Sequence, residues 1–231
     1  MGALPGEPDE TSLMEAFVSV AERAGSPVWI PKDVEGTCCG VPFSSKGYTE
    51  ANTFAVNRAI ERFWEWSDGG RLPVVVDTSP CTYGVKASRP NLTPRNQERF
   101  DRLKILDGVE FTHDALLPKL AARRKAGPVA LHPVCSVTKM GLGGKLEGIA
   151  RFCSDDVTVP LSAGCCAFAG DRGFLHPELT ASATRHEAAE VKAKACAEHL
   201  SSSRTCEIGM TRATGAVYRS YLFLLEEVTR P

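Results

Sequence analysis

Two pairs of adjacent cysteines, Cys38-Cys39 and Cys165-Cys166, constrain this chain more than any other feature. A disulfide between chain neighbours needs strained backbone, because an ordinary bridge joins Cα atoms about 5.5 Å apart. Two such pairs therefore require another explanation. Their surroundings repeat: Cys38-Cys39-Gly40-Val41-Pro42-Phe43-Ser44-Ser45-Lys46-Gly47-Tyr48 lies over Cys165-Cys166-Ala167-Phe168-Ala169-Gly170-Asp171-Arg172-Gly173-Phe174 with one deletion. Basic residue, glycine and aromatic ring coincide. A helical pattern follows each, and Cys81 and Cys206 appear 42 and 40 positions after Cys39 and Cys166. An internal duplication accounts for this, with halves expected at residues 1–125 and 126–231.

The periodicity predicts an α/β fold of two pseudo-repeated halves, each with short parallel strands flanked by helices and a cysteine site at strand ends. Ser12 and Glu15 fit a capping box opening a helix that runs to Ala24. Pro27 to Pro31 reads as a brief strand. Thr49 to Trp66 predicts a helix with Val56, Ala59, Ile60 and Phe63 on one face. Leu72 to Asp77 is a β-branched run of the kind found in parallel strands covered on both faces, and Cys81 lies just past it. After a junction at Ala121 to Pro128, a second round follows. It comprises a strand at Val129 to His132 with Cys135 at its end, a helix across Leu142 to Phe152 and a strand at Val157 to Pro160. A long helix from Pro177 to Leu200 and a last helix from Thr214 to Val228 complete it.

When the two thiolates of a tight turn converge with one from each of two strand ends, four sulfurs can surround a single Zn²⁺ or an iron-sulfur cluster. In the second half those are Cys135, Cys165, Cys166 and Cys206; the first half offers Cys38, Cys39 and Cys81. The alternative is that they are buried thiols acting as small hydrophobes, which is the expectation for Cys153 and Cys196. The dispersed spacing, without the short knuckle usual for structural zinc, favours a cluster. His132 reads as a hydrogen-bonded strand-end histidine, with tuning or ligation as the alternative, and His113 with Asp114 is a similar case. Lys46 and Arg172, at matching positions, are expected to offset the charge of thiolate-bound iron. Met1-Gly2 matches Met140-Gly141, so a strand and cysteine corresponding to Val129 to Cys135 are expected upstream of Met1, leaving the first half truncated.

The composition excludes several other classes. Hydrophobic residues are 43% of the 231 and charged residues 24%, which is ordinary globular usage. Lys and Arg number 27 against 28 Asp and Glu, a net charge of -1, so no electrostatic footprint for nucleic acid or anionic lipid exists. No apolar run approaches the roughly 18 residues of a membrane span. The start lacks the basic and apolar regions of a secretory signal, so nine cysteines point to a reducing, cytoplasmic setting. No Gly-x-Gly-x-x-Gly, phosphate loop, His-Glu-x-x-His or Gly-x-Ser-x-Gly is present, hence no self-contained flavin, nucleotide or hydrolase site.

Over nearly its whole length the chain resembles the cysteine-rich domain with duplicated Cys-Cys-Gly motifs. That domain occurs in heterodisulfide reductase, in the iron-sulfur subunits of glycolate oxidase and glycerol-3-phosphate dehydrogenase, and in lactate-utilisation proteins. It is most similar to the C-terminal region of FAD and iron-sulfur D-lactate dehydrogenases, on Cys38 to Tyr48, Ala169 to Phe174 and Ser201 to Met210. Two departures stand out: Ala167 replaces the second motif's glycine, and Thr78-Ser79-Pro80-Cys81 and Ser203-Arg204-Thr205-Cys206 keep one thiolate where heterodisulfide reductase has two. The resemblance implies an oxidoreductase component carrying an iron-sulfur cluster, of the 4Fe-4S kind, that passes electrons toward quinone or cytochrome. FAD would sit on missing domains or a partner chain, alongside flavoprotein and ferredoxin-like domains or subunits, and the chain would be inactive alone. A peripheral position at the inner face of the cell membrane is also implied. The alternative is a non-redox zinc-binding or docking subunit of such a complex.

Overall fold

The computed structural model describes residues 12–231; the match of Met1-Gly2 to Met140-Gly141 lies outside the described residues. The fold is α/β, with short parallel strands in two sheets flanked by helices. Contacts group the chain into one compact unit of Trp29–Phe111 and another in which Thr112–Pro231 is joined by the segment ending at Val28. The sequence repeat and the compact units are different divisions of the chain. Helix α1 (Leu13–Arg23) starts at the expected capping box and buries Ala16, Phe17, Val20 and Ala21. Pro27 to Pro31 forms no strand. The two prolines cannot donate to a ladder, and Trp29 and Ile30 between them are exposed.

In the Trp29–Phe111 unit, α2 (Val41–Ser44) follows the cysteine pair and α3 (Thr49–Trp66) has the expected bounds. Strand β1 (Val74–Val76) leads to α4 (Ser79–Ala87) and α5 (Pro94–Arg102), then to β2 (Ile105–Asp107) and α6 (Gly108–Phe111). The two strands pair in parallel, Val74 opposite Ile105. Strand β1 is half-buried instead of covered on both faces. Val56, Ile60 and Phe63 pack with Val85, Leu92 and Ile105, and Cys39 lies against this core. Buried Asp107 accepts hydrogen bonds from Ser79 Oγ at 3.1 Å and the Val109 amide at 2.9 Å, which anchors the first turn of α4 to the sheet.

The other unit contains β3 (Val129–Leu131), α7 (Cys135–Lys139), α8 (Gly143–Cys153), β4 (Val157–Thr158), α9 (Arg172–Leu175) and α10 (Pro177–Lys192). It continues with β5 (Glu198–Ser201), α11 (Arg204–Thr214), β6 (Arg219–Ser220) and α12 (Tyr221–Thr229). Its sheet runs β4-β3-β5-β6, all parallel, with β3 wholly buried. Helix α10 stops at Lys192 and not at Leu200, because Glu198–Ser201 leaves the helix to pair with β3, Leu200 opposite Leu131. A ladder to a buried strand outweighs local helix propensity. The expected last helix is likewise interrupted: Gly215, at φ +81°, ends α11, and β6 intervenes before α12. No helix of the described residues is long and apolar enough to cross a membrane.

Two local contacts hold the cysteine turns. Gly40 has φ +83°, and Ala167, its counterpart, takes the same left-handed conformation at φ +55°, at a cost of about 1 kcal/mol for a residue with a Cβ. A Cβ on Gly40 would stand 2.6 Å from Asn52 Nδ2, which itself donates to the Gly40 carbonyl. A Cβ on Gly84 would stand 2.2 Å from Val41 Cγ2, so α4 approaches α2 as closely as a glycine permits. Gly84→Ala should therefore destabilise this unit by about 1–3 kcal/mol, whereas Ala167→Gly should stabilise its own by about 0.5–1 kcal/mol. Denaturant titration of each variant checks both; equal midpoints for Gly84→Ala and the wild type would mean that α2 moves aside without cost.

Candidate metal centre

Each dispersed cysteine stands in the first turn of a helix that follows a strand: Cys81 in α4, Cys135 at the start of α7 and Cys206 in α11. The sequence pattern places them at strand ends and does not reveal those helices.

In the second half, Cys166 and Cys206 have their sulfurs 3.0 Å apart. Cys165 is hydrogen-bonded to Cys135, and the charges of all four thiols act on one another. The structure thus brings Cys135, Cys165, Cys166 and Cys206 together. Cys166 and Cys206 are buried, Cys135 half-buried and Cys165 exposed. The turn is fixed from behind. Phe168, fully buried, meets Phe174 edge-on at 4.8 Å, Arg212 lies over both rings, and Gly173 touches the Phe168 ring. Gly209 of α11 leaves room for Cys166 and Thr180.

In the first half, Cys39 and Cys81 have sulfurs 2.8 Å apart, and Cys38 is hydrogen-bonded to Cys39. The halves match in detail: the Gly40 amide donates to Cys38 Sγ and the Ala167 amide to Cys165 Sγ, each at 3.4 Å. Beside Cys39 and Cys81 opens a cavity of about 260 Å³ lined by Trp29, Pro31, Phe63, Trp66 and Val75.

Sulfurs this close shift one another's protonation. The hydrogen bond from Cys206 holds the Cys166 thiol below its ordinary range against the opposing effect of burial, and His132 adds to the lowering. The same bond, with burial, pushes Cys206 up. Cys165 is pulled down by Cys135, which rises in turn; Cys39 falls and Cys81 rises in the same way. In each pair one thiol is lowered and its partner raised, because a thiolate is stabilised by the neighbouring S–H and would repel a second thiolate.

His132 and Glu187 complete the second centre. His132 is fully buried, and its Nδ1 lies 2.7 Å from Oε1 of Glu187, itself 2% exposed. Burial pushes the imidazole down, but Cys166 and Glu187 outweigh it and raise it to about 9. Its Nε2 faces the thiols and interacts with Cys166; the ligand atoms of His132, Cys166 and Cys206 lie within 4.8 Å of one another. Glu187 is absent from the residues that the sequence pattern singles out. Its signal is nonetheless present: it is the one acidic residue on the buried face of α10, with Thr180, Thr184, Ala188 and Val191.

Lys46 and Arg172 are exposed. The cation whose charge acts on Cys135 and Cys165 is Lys139, at the end of α7. His113 pairs with Asp114 at 2.7 Å, and Lys145 holds the Asp114 carboxyl low. Cys153, 1% exposed, is pushed up to about 12 by burial; Cys196 is half-buried in the turn before β5.

No protein-family model matches the chain. The C subunit of anaerobic glycerol-3-phosphate dehydrogenase from Escherichia coli (strain K12) is 28% identical over 144 residues, 59% of this chain and 35% of that protein. The chain thus spans about a third of that relative's length. Lactate utilization protein A of Oceanobacillus iheyensis is 26% identical over 174 residues, 71% of this chain and 67% of that protein. The chain is similar to a dehydrogenase subunit and to a protein of lactate use.

Proposed function

We propose that this chain is an iron-sulfur electron-transfer module of an FAD-dependent D-lactate or related 2-hydroxy-acid dehydrogenase. The observation that carries the reading is the convergence of Cys135, Cys165, Cys166 and Cys206, drawn from three separate segments, as two hydrogen-bonded thiol pairs joined through the adjacent Cys165 and Cys166. Such a donor set fits a 4Fe-4S cluster, with Cys38, Cys39 and Cys81 as a second, three-thiol centre. The group, when bound, supplies one-electron carriage. The chain's own residues hold it, exclude water on the Cys166 and Cys206 side and set its surroundings through Lys139, His132 and the turn amides. Hydride removal from the substrate belongs to a flavoprotein domain or subunit, with ferredoxin-like centres between, and quinone or cytochrome accepts the electrons. The module works on the cytoplasmic side, peripheral to the membrane. One observation favours a second reading: the compact His132, Cys166 and Cys206 group also suits a single Zn²⁺ in a docking subunit.

Anaerobic reconstitution with iron and sulfide, followed by iron counting and an ultraviolet-visible spectrum, separates the two. A sulfide-to-iron absorption band is expected; zinc retained in preference to iron, with no such band, would sink the electron-transfer reading. Cys165→Ser or Cys206→Ser should remove most of the metal, Cys38→Ser less and Cys196→Ser almost none. Iron unchanged by Cys165→Ser and abolished by Cys38→Ser would reverse the ranking of the centres. The purified chain should not oxidise D-lactate with an artificial acceptor, and turnover by the chain alone would refute the need for a flavoprotein partner.

A further inference from the structure

We propose that His132 is a metal ligand of the second centre, forming with Cys166 and Cys206 a mixed nitrogen and sulfur donor set, and that Glu187 is the positioning residue that aims it. The inference rests on reading that centre as metal-holding, and it adds a donor that the cysteine motifs do not contain.

His132 is held at its backbone and at one ring nitrogen. Its backbone amide donates to the Leu200 carbonyl at 2.9 Å, and its carbonyl accepts from Ser201 Oγ at 3.2 Å, so β5 clamps the residue. Nδ1 lies 2.7 Å from the Glu187 carboxylate, which turns the other ring nitrogen toward the thiols. That Nε2 is buried and meets Cys166, so a metal ion would take the place of the proton between them. What lies before it is the Cys166 and Cys206 pair, with all three ligand atoms within 4.8 Å of one another. A carboxylate on one ring nitrogen and a metal on the other is the usual way in which an imidazole ligand is oriented.

Among the described residues, α3, the helix that follows the first cysteine pair, buries Asn52, Ala55, Val56, Ala59, Ile60 and Phe63 and hence no carboxylate, whereas α10 buries Glu187. The two centres therefore differ in ligand chemistry. A neutral nitrogen donor stabilises the reduced state more than a thiolate does, which would make the second centre the better electron acceptor.

The full chain, reduced and stripped of metal, is loaded with one equivalent of Zn²⁺ and examined by X-ray absorption at the zinc edge. An imidazole signature beside sulfur is expected, and it should vanish in His132→Ala. Glu187→Gln should retain the signature while zinc binding weakens about 10-fold or more. A shell of sulfur alone in the wild type, or an imidazole signature that survives His132→Ala, would overturn the proposal. Should His132→Ala fail to fold, Glu187→Gln decides: zinc affinity equal to wild type, with an unchanged circular dichroism spectrum before metal is added, would also overturn it. Zinc held by sulfur alone would leave the metal-centre reading intact, whereas no zinc uptake by any form would remove both.

Discussion

Thiols packed at hydrogen-bonding distance cannot all ionise, because thiolates so close repel strongly at the low effective dielectric of a protein interior. That constraint organises this structure. In Cys39 with Cys81, and Cys166 with Cys206, it lowers one thiol and raises the other. Turn amides and Lys139 bring partial or full positive charge to the sulfurs. A bound cation would meet the same demand more completely by displacing the thiol protons, so metal uptake and proton release are linked here. The strands, glycine contacts and aromatic clamp have one common effect, which is to keep sulfurs where no isolated segment would leave them.

Much of this was legible in the residues. The vicinal pairs, whose chemistry excludes a simple disulfide, pointed to thiols that the fold brings near Cys81 and Cys206, and α1 and α3 declared themselves through a capping box and a clean helical face. What local pattern could not show was tertiary. Glu198–Ser201 looks like the end of a helix until β3 is present to pair with it. The helices carrying Cys81 and Cys206 begin just after short strands and are 9 and 11 residues long, against 18 for α3, so their pattern has less length in which to show. Glu187 and Lys139 act across space on cysteines remote in sequence, so only their burial and charge could have drawn notice. Pro27 to Pro31 failed in the opposite sense, its apolar composition suggesting a strand that its prolines forbid.

The two cysteine turns differ in detail. Gly40 takes its left-handed conformation where Asn52 occupies the space a side chain would need, while Ala167 adopts the same conformation with a Cβ. The surroundings of the thiols differ chemically: a cavity bordered by Ala59 lies beside Cys39 and Cys81, and Glu187 engages His132 beside Cys166.

Strand β3 has a further consequence through its place in the sheet. It is paired on both sides, wholly buried, and leads directly into His132 and Cys135. Its amides are shielded from exchange with deuterated solvent until the sheet itself opens, whereas β1 is half-buried and paired only with β2. Local opening in the two copies is thus governed by different events. A slow chelator or oxidant would reach the inner thiols Cys166 and Cys206 at a rate set by cooperative unfolding, and Cys165, already exposed, at the rate of collision.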